Sequence, residues 1–344
     1  GKVWESRRMK IALSFDDVLL EPRYSEVYSR KDIEIRQSLK NVGEFELPII
    51  SSPMDTITGE FMATAMDNEG GVGILHRYNS IQEQATMVMN ITSAGHTVGA
   101  AIGVGEDCTE RALALTRAGV SFLCIDVAHG HHSKVRHALK ALRNTIGHEM
   151  HIMAGNVATL EAFNDLADWG ADSIRVGIGG GSICSTRIQT GHGMPTLQSI
   201  LECAQSDRDA ALIADGGIRT SGDIVKALAA GADFIMLGSL LAGTDETPGT
   251  VINTKDGRRK VYRGMASKEA QWKWRNRVSS VEGISHTVAL KGTVKEVLGE
   301  LQIGIRSGIS YSGATSVSAL QSRARFIRQT TSGQVESSTH IKRI

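Results

Sequence analysis

The chain has 344 residues with 38 Lys plus Arg against 37 Asp plus Glu, a net charge of +1, so nothing in its overall electrostatics requires nucleic acid or an anionic membrane as partner. No apolar run is long enough to span a bilayer and no basic start leads into an apolar segment, so a cytoplasmic protein is expected. Four cysteines without a CxxC pair argue against a disulfide framework or a zinc knuckle, and 37 glycines with only 5% aromatics predict many tight turns around an aliphatic core.

Residues 1–12 read as an N-terminal arm, 13–22 as a short extended piece and 25–37 as a polar, irregular stretch. A rhythm then begins. Short β-branched or apolar runs occur at 47–53, 72–75, 98–102, 122–127, 152–157, 173–178, 211–215 and 234–238. Helical spacing fills the intervals at 59–69, 81–92, 106–118, 133–145, 158–169, 195–204 and 221–230. Several helices end in a glycine followed at once by a new apolar run, as at Trp169-Gly-Ala-Asp and Ala230-Gly-Ala-Asp, the signature of an αβ loop. Eight strands alternating with helices predict an α/β fold, a (β/α)8 TIM barrel of one domain over 13–326. An open doubly wound sheet would carry its glycine fingerprint after the first strand, whereas here the richest glycine turns follow strands six to eight. The polar segment at about 244–291 reads as a flap over the barrel mouth, helical spacing returns at 294–305 and 316–326, and 327–344 reads as a tail.

Catalytic groups of such a barrel sit at the C-terminal ends of its strands. Strand six ends in Val176-Gly-Ile-Gly-Gly-Gly-Ser-Ile-Cys-Ser-Thr-Arg187, a glycine-rich turn presenting Cys184. Taken alone it is also compatible with a β-turn around a buried thiol. Of the four cysteines, only Cys184 lies in a polar loop where a thiolate could be formed and reached. Strand seven ends in Asp215-Gly-Gly217 and strand eight in Gly238-Ser239, so three neighbouring turns can aim N–H groups at one phosphate, with hydroxyls from Ser182 and Ser239. Asp215 suits the hydroxyls of a ribose. His129, His131 and His132 lack a second set of ligands for zinc and read as a surface loop. Trp272 and Trp274 in the flap could stack on a base or form an exposed edge.

The motifs LSFDDVLLEP, SSPMDTITGEFMA, EGGVGILHR, DVAHGH, AGNVAT, GIGGGSICSTR, IADGGIRTSGDIVKALAAGADFIMLGS, YRGMAS, VEG and YSGA occur in that order. Together they resemble the inosine-5′-monophosphate dehydrogenase / GMP reductase family from about residue 13 to residue 340. The resemblance implies a purine mononucleotide, GMP or IMP, whose C2 lies over a nucleophilic Cys184, with hydride exchanged through a nicotinamide cofactor. It implies substrate contacts from Ser52, Met54, Gly181, Ser182, Asp215, Gly216, Gly217, Gly238, Ser239, Tyr262, Gly264 and Met265. Asp126, Ala128, Gly177 and Gly179 are implied for the cofactor. Carbonyls of Gly179, Gly181 and Cys184 are implied for a monovalent cation, K+.

The two branches of the family diverge after the thiolate attack. Only one helix lies between Leu75 and Val98, where the dehydrogenase usually carries paired CBS modules, and no Arg-Tyr pair occurs between Met265 and Glu282. The short flap ending at Glu282 resembles the reductase, with Thr186 and Glu282 implied as the proton relay to departing ammonia and NADPH as hydride source. Residues 240–248 and 335–340 resemble the dehydrogenase instead, which would use NAD. Two positions depart from the family pattern, Gly180 for its usual Pro and Ser185 for its usual Thr. A homotetramer is the assembly the resemblance implies. A non-catalytic nucleotide sensor is the remaining alternative, and it would not need Cys184, Thr186 and Glu282 together.

Overall fold

The computed structural model describes residues 9–181, 183–264 and 286–338. Each β-branched run forms a strand because every one of its side chains finds a buried partner, either inside a barrel or beneath a helix. Ahead of the barrel lie β1 (Val18–Leu20) and the hairpin β2 (Gln37–Leu39) and β3 (Gly43–Phe45). The barrel strands are β4 (Ile49–Ser51), β5 (Val72–Leu75), β6 (Gly99–Ile102), β7 (Phe122–Asp126), β8 (His151–Val157), β9 (Ser173–Val176), β10 (Ala211–Asp215) and β11 (Phe234–Leu237). All pair in parallel and in chain order, and β11 meets β4 through Ile235↔Ile49 to Leu237↔Ser51, which closes the barrel.

The helices α1 (Glu60–Asn68), α2 (Ile81–Ser93), α3 (Cys108–Arg117), α4 (Ser133–Ile146) and α5 (Leu160–Asp168) follow β4 to β8 in turn. After β9 come a short α6 (Thr186–Thr190) and α7 (Thr196–Cys203), and after β10 comes α8 (Ser221–Ala230). The long helix Val294–Tyr311 packs on α8 and α1 and completes the outer ring. Ser80 opens α2 with a reciprocal capping box to Glu83, and Thr159 and Thr220 cap α5 and α8 through N–H groups of Ala162 and Asp223. The end of α5 shows why its glycine was needed: Gly170 takes φ +117°, a backbone that other residues rarely adopt.

Inside the barrel Ile50, Val72, Ile74, Ala101, Phe122, Cys124, Met153, Ile213, Phe234 and Met236 form one packed core. The β2–β3 hairpin plugs its N-terminal end, where Leu39 and Phe45 join that core and Phe45 meets Phe234 edge-on at 5.9 Å. With the bottom closed, only the C-terminal end is open, and it is there that chemistry can occur.

Two regions differ from the sequence expectation. The stretch at 244–291, which lacks clear periodicity, holds an antiparallel sheet of β12 (Ile252–Thr254), β13 (Gly257–Val261) and β14 (Thr287–Ala289). Its strands are three to five residues long, too short for an alternating pattern to stand out. Beyond it, Phe326–Arg328 pairs with β1 and a helix follows at Thr331–Glu336, so the segment expected as a tail begins with ordered structure. No helix among the described residues is long and apolar enough to cross a membrane.

Candidate active site

A cleft of about 250 Å³ opens at the C-terminal ends of the strands. The turn after β4 contributes Ser52 and Met54; β7 and the turn beyond it contribute Asp126 and Ala128. Gly177, Gly179, Gly181, Cys184 and Thr186 come from the long turn after β9, and Asp215, Gly216 and Gly217 from the end of β10. Gly238 and Ser239 follow β11, and Tyr262 and Gly264 follow β13. Segments far apart in sequence thus line one cleft. Ser182, Met265, Glu282, Trp272 and Trp274 lie outside the described residues.

The four thiols separate by environment. Burial pushes the Cys108 thiol up to about 11, and those of Cys124 and Cys203 up to about 12, which leaves all three protonated and inert near neutral pH. Cys184 alone is exposed. Its amide N–H donates to the Gly181 carbonyl at 3.1 Å, folding the turn back on itself, and its Sγ lies 3.2 Å from the Thr186 hydroxyl. An exposed thiol and a hydroxyl therefore stand side by side at the start of α6.

The glycine turns pack backbone against backbone. A side chain on Gly177 would place Cβ only 1.8 Å from the Asp215 carbonyl oxygen, so this position tolerates glycine alone. Gly216 and Gly217 take φ +95° and +75°, and a Cβ on Gly216 would meet Gly181 N at 3.3 Å. Between these turns there is room for main-chain N–H groups to face an anion without an intervening Cβ.

Below them lies a charge pair with a shared centre. Arg175, 5% exposed on β9, donates through Nη1 to Asp126 at 2.7 Å and through Nη2 to Asp215 at 2.9 Å. Burial by itself would lower the pKa of its guanidinium, but the surroundings, Asp215 foremost, raise it, so the group is permanently charged. Asn156 also donates to Asp215, at 2.8 Å, and Arg77 donates to the Asp126 carbonyl at 3.1 Å while lying 5.0 Å over the Tyr78 ring. Both donors to Asp215 use its Oδ2. Arg175, Asn156, Arg77 and Tyr78 were not among the sequence-derived site residues. The available signal was Arg175 itself, a charged residue in the middle of the apolar run Ser173-Ile-Arg-Val176, where a strand buried on both faces should carry none.

The residues present fit a nicotinamide ring. Asp126 offers an acceptor, and the Nε of Arg175 is a buried donor without a hydrogen-bond partner among the described residues, which suits a carboxamide. The histidines of the following loop are engaged elsewhere, His131 with Asp165 at 2.7 Å and His132 in capping α4.

Comparisons with known proteins agree with the barrel fold. A family model described as the IMP dehydrogenase / GMP reductase domain matches residues 12–340. An inosine-5′-monophosphate dehydrogenase of Cryptosporidium parvum is 37% identical over 383 aligned positions, covering 95% of this chain and 94% of that one. A GMP reductase of Leishmania major is 32% identical over 475 positions, covering 95% and 96%. Among solved structures, a GMP reductase of Trypanosoma brucei in complex with guanosine 5′-monophosphate superposes with a TM-score of 0.90 at 31% identity, covering 98% of this chain and all of that one. The alignment lengths correct one inference from sequence. A reductase aligns over far more positions than this chain's 344 residues and a dehydrogenase over only slightly more, so a short chain does not by itself mark the reductase.

Proposed function

Because the chain belongs to the IMP dehydrogenase / GMP reductase family, whose members are oxidoreductases of purine metabolism, we propose that it is a GMP reductase converting GMP to IMP and ammonia with NADPH. The observation that carries the chemistry is the exposed Cys184 thiol 3.2 Å from the Thr186 hydroxyl, between glycine turns and above the Arg175 pair. The glycine turns and Ser239, with Ser182, would hold the 5′-phosphate, and the Asp215 Oδ1 would accept from a ribose hydroxyl while Oδ2 stays held by Arg175 and Asn156. Met54, near Tyr262 at Gly238, would flank the base.

The Cys184 thiolate adds to C2 of the purine and the C2 amino group leaves as ammonia, taking its proton through Thr186 from Glu282. Protonation is required because ammonia departs far more readily than amide anion. When bound, a reduced nicotinamide would supply the hydride that C2 receives as the carbon–sulfur bond breaks, leaving IMP and restoring the thiolate. Asp126 and Arg175 would orient that ring.

The reading of the branch rests on the short flap, which ends at Glu282 without an Arg-Tyr pair, and on the likeness to the GMP-bound reductase. The second reading is an IMP dehydrogenase oxidising IMP to XMP with NAD, favoured by the likeness to the Cryptosporidium protein over nearly its whole length. A K+ ion on the carbonyls of Gly179, Gly181 and Cys184 belongs to that second reading, and a homotetramer would suit either.

The experiment is absorbance in the reduced-nicotinamide band with GMP plus NADPH in one cuvette and IMP plus NAD in another. A falling signal with ammonia release in the first establishes the reductase. A rising signal in the second alone replaces it with the dehydrogenase.

A further inference from the structure

Lys260, in the middle of β13, is only 5% exposed, and its ammonium meets four oxygens of a single turn. These are the main-chain carbonyls of Thr244 at 3.1 Å, Asp245 at 3.2 Å and Thr247 at 3.0 Å, and the Thr247 hydroxyl at 3.2 Å. No carboxylate among the described residues touches it. A ring of carbonyls and a hydroxyl is the donor set of a hard monovalent cation, not of a salt bridge. Three carbonyls need donors and can give none; an ammonium has three N–H groups to offer and a neutral amine only two. Burial draws the lysine below its ordinary pKa while Asp245 and Glu246, close in the same turn, push it back.

The position of this cage gives it a consequence. The turn at 244–247 follows the Gly238-Ser239 end of the barrel, and β13 runs directly into Tyr262 and Gly264 in the cleft. On the return strand Lys291 donates to the Ser239 carbonyl at 2.7 Å, and the Lys291 N–H meets the Gly243 carbonyl at 3.0 Å. Those contacts hold the β14 side of the small sheet to the barrel. Lys260 performs the same task on the β13 side through its side chain alone.

We propose that Lys260 is a tethered monovalent cation that clamps the root of the flap sheet to the turn after β11, and that removing its side chain leaves a cage able to take a free alkylammonium or ammonium ion. This is a positioning role and does not depend on which nucleotide the cleft takes.

The test uses the full chain and no activity. Thermal unfolding of wild type, Lys260→Ala and Lys260→Met is followed in ethylammonium chloride and in tetramethylammonium chloride of equal concentration, the latter having no N–H to donate. Both variants should melt several degrees below wild type. Lys260→Ala should recover much of that loss in ethylammonium only, while wild type and Lys260→Met, whose methionine fills the space, should not respond. Hydrogen exchange should place the opening of Lys260→Ala, and its reclosure, in peptides from 238–262. Equal midpoints for Lys260→Ala in the two salts, or an equal shift in wild type, would overturn the proposal. Should Lys260→Ala not fold, Lys260→Met decides: a wild-type midpoint refutes the clamp, and a lowered one with opening confined to 238–262 supports it.

Discussion

Arg175 and Asp215 meet at 2.9 Å across the neighbouring strands β9 and β10, two positions apart in register, and the same guanidinium reaches Asp126 two strands away on β7. One buried cation therefore fixes two carboxylates that line the cleft. Replacing it by methionine would leave Asp215 half-buried without its counter-charge, while Asp126 keeps Arg77 at 3.6 Å. The expected cost for Arg175→Met is about 3–5 kcal/mol, since breaking a buried pair strands the remaining charge. Urea unfolding measures it, and a wild-type midpoint would show that Asn156 and solvent suffice for Asp215.

How much of this was readable beforehand depends on the kind of interaction. The barrel was legible because short apolar runs such as 122–126 and 211–215 recur between segments of helical spacing, and because glycine marks most of the returns from helix to strand. The glycine turns and Cys184 were legible because their residue types are rare in that combination. Arg175 and Asn156 were not, since their significance comes from partners 40 and 59 positions away. The β12–β14 sheet escaped for the opposite reason: its strands are held by backbone bonds and by the side chains of Arg259, Lys260 and Lys291, and Gly257-Arg-Arg-Lys-Val261 has no apolar pattern to read.

The separation of the thiols predicts single-site chemistry. Iodoacetamide on the native protein near pH 7.5 should add one equivalent, at Cys184, with Cys108, Cys124 and Cys203 reacting only after unfolding. GMP should slow the reaction if the purine covers the sulfur. Peptide mass spectrometry reads both, and rapid native labelling of Cys108, the least strongly shifted of the buried three, would contradict the assignment.

The contact between Cys184 and Thr186 predicts a split between binding and turnover. Thr186→Val removes the hydroxyl but keeps the shape, so GMP affinity should hold while turnover falls by about 100-fold or more, the usual range for losing a proton-transfer group. Glu282→Gln should behave alike if it is the other half of the relay. A rise in KM without a fall in kcat would make Thr186 a binding residue instead.

His151 predicts a pH dependence of stability. Burial at the closed end of the barrel holds its pKa below the ordinary 6.5, and its ring nitrogens are engaged by the Lys40 carbonyl at 2.8 Å and the Ser173 hydroxyl at 2.7 Å, with Asp172 and Arg143 nearby. The unfolded chain takes up this proton first as pH falls. The stabilisation is thus complete above pH 6.5 and is lost as pH drops from there toward the folded pKa, at no more than about 1.4 kcal/mol per pH unit for one proton. Urea midpoints between pH 7.5 and 5.5 should fall in wild type and fall less steeply in His151→Gln. Parallel curves would assign the dependence to other groups.

Gly180 and Thr196 predict a compensating pair. A Cβ at position 180 would sit 2.5 Å from the Thr196 Oγ1, which is buried at the start of α7 and has no hydrogen-bond partner among the described residues. Gly180→Ala should therefore overpack the turn that presents Cys184, at a cost of about 1–3 kcal/mol. Thr196→Ala should cost little, because it deletes a hydroxyl that was desolvated without compensation. Combined, the two should recover most of the loss, since the alanine methyl then enters the space the hydroxyl vacated, and a double-mutant cycle on urea midpoints would show a coupling of the size of the clash. If the costs simply added, the hydroxyl would not be the obstacle. The turn would then have to be limited at this position by its backbone, which packs against the strand-seven glycines 216 and 217.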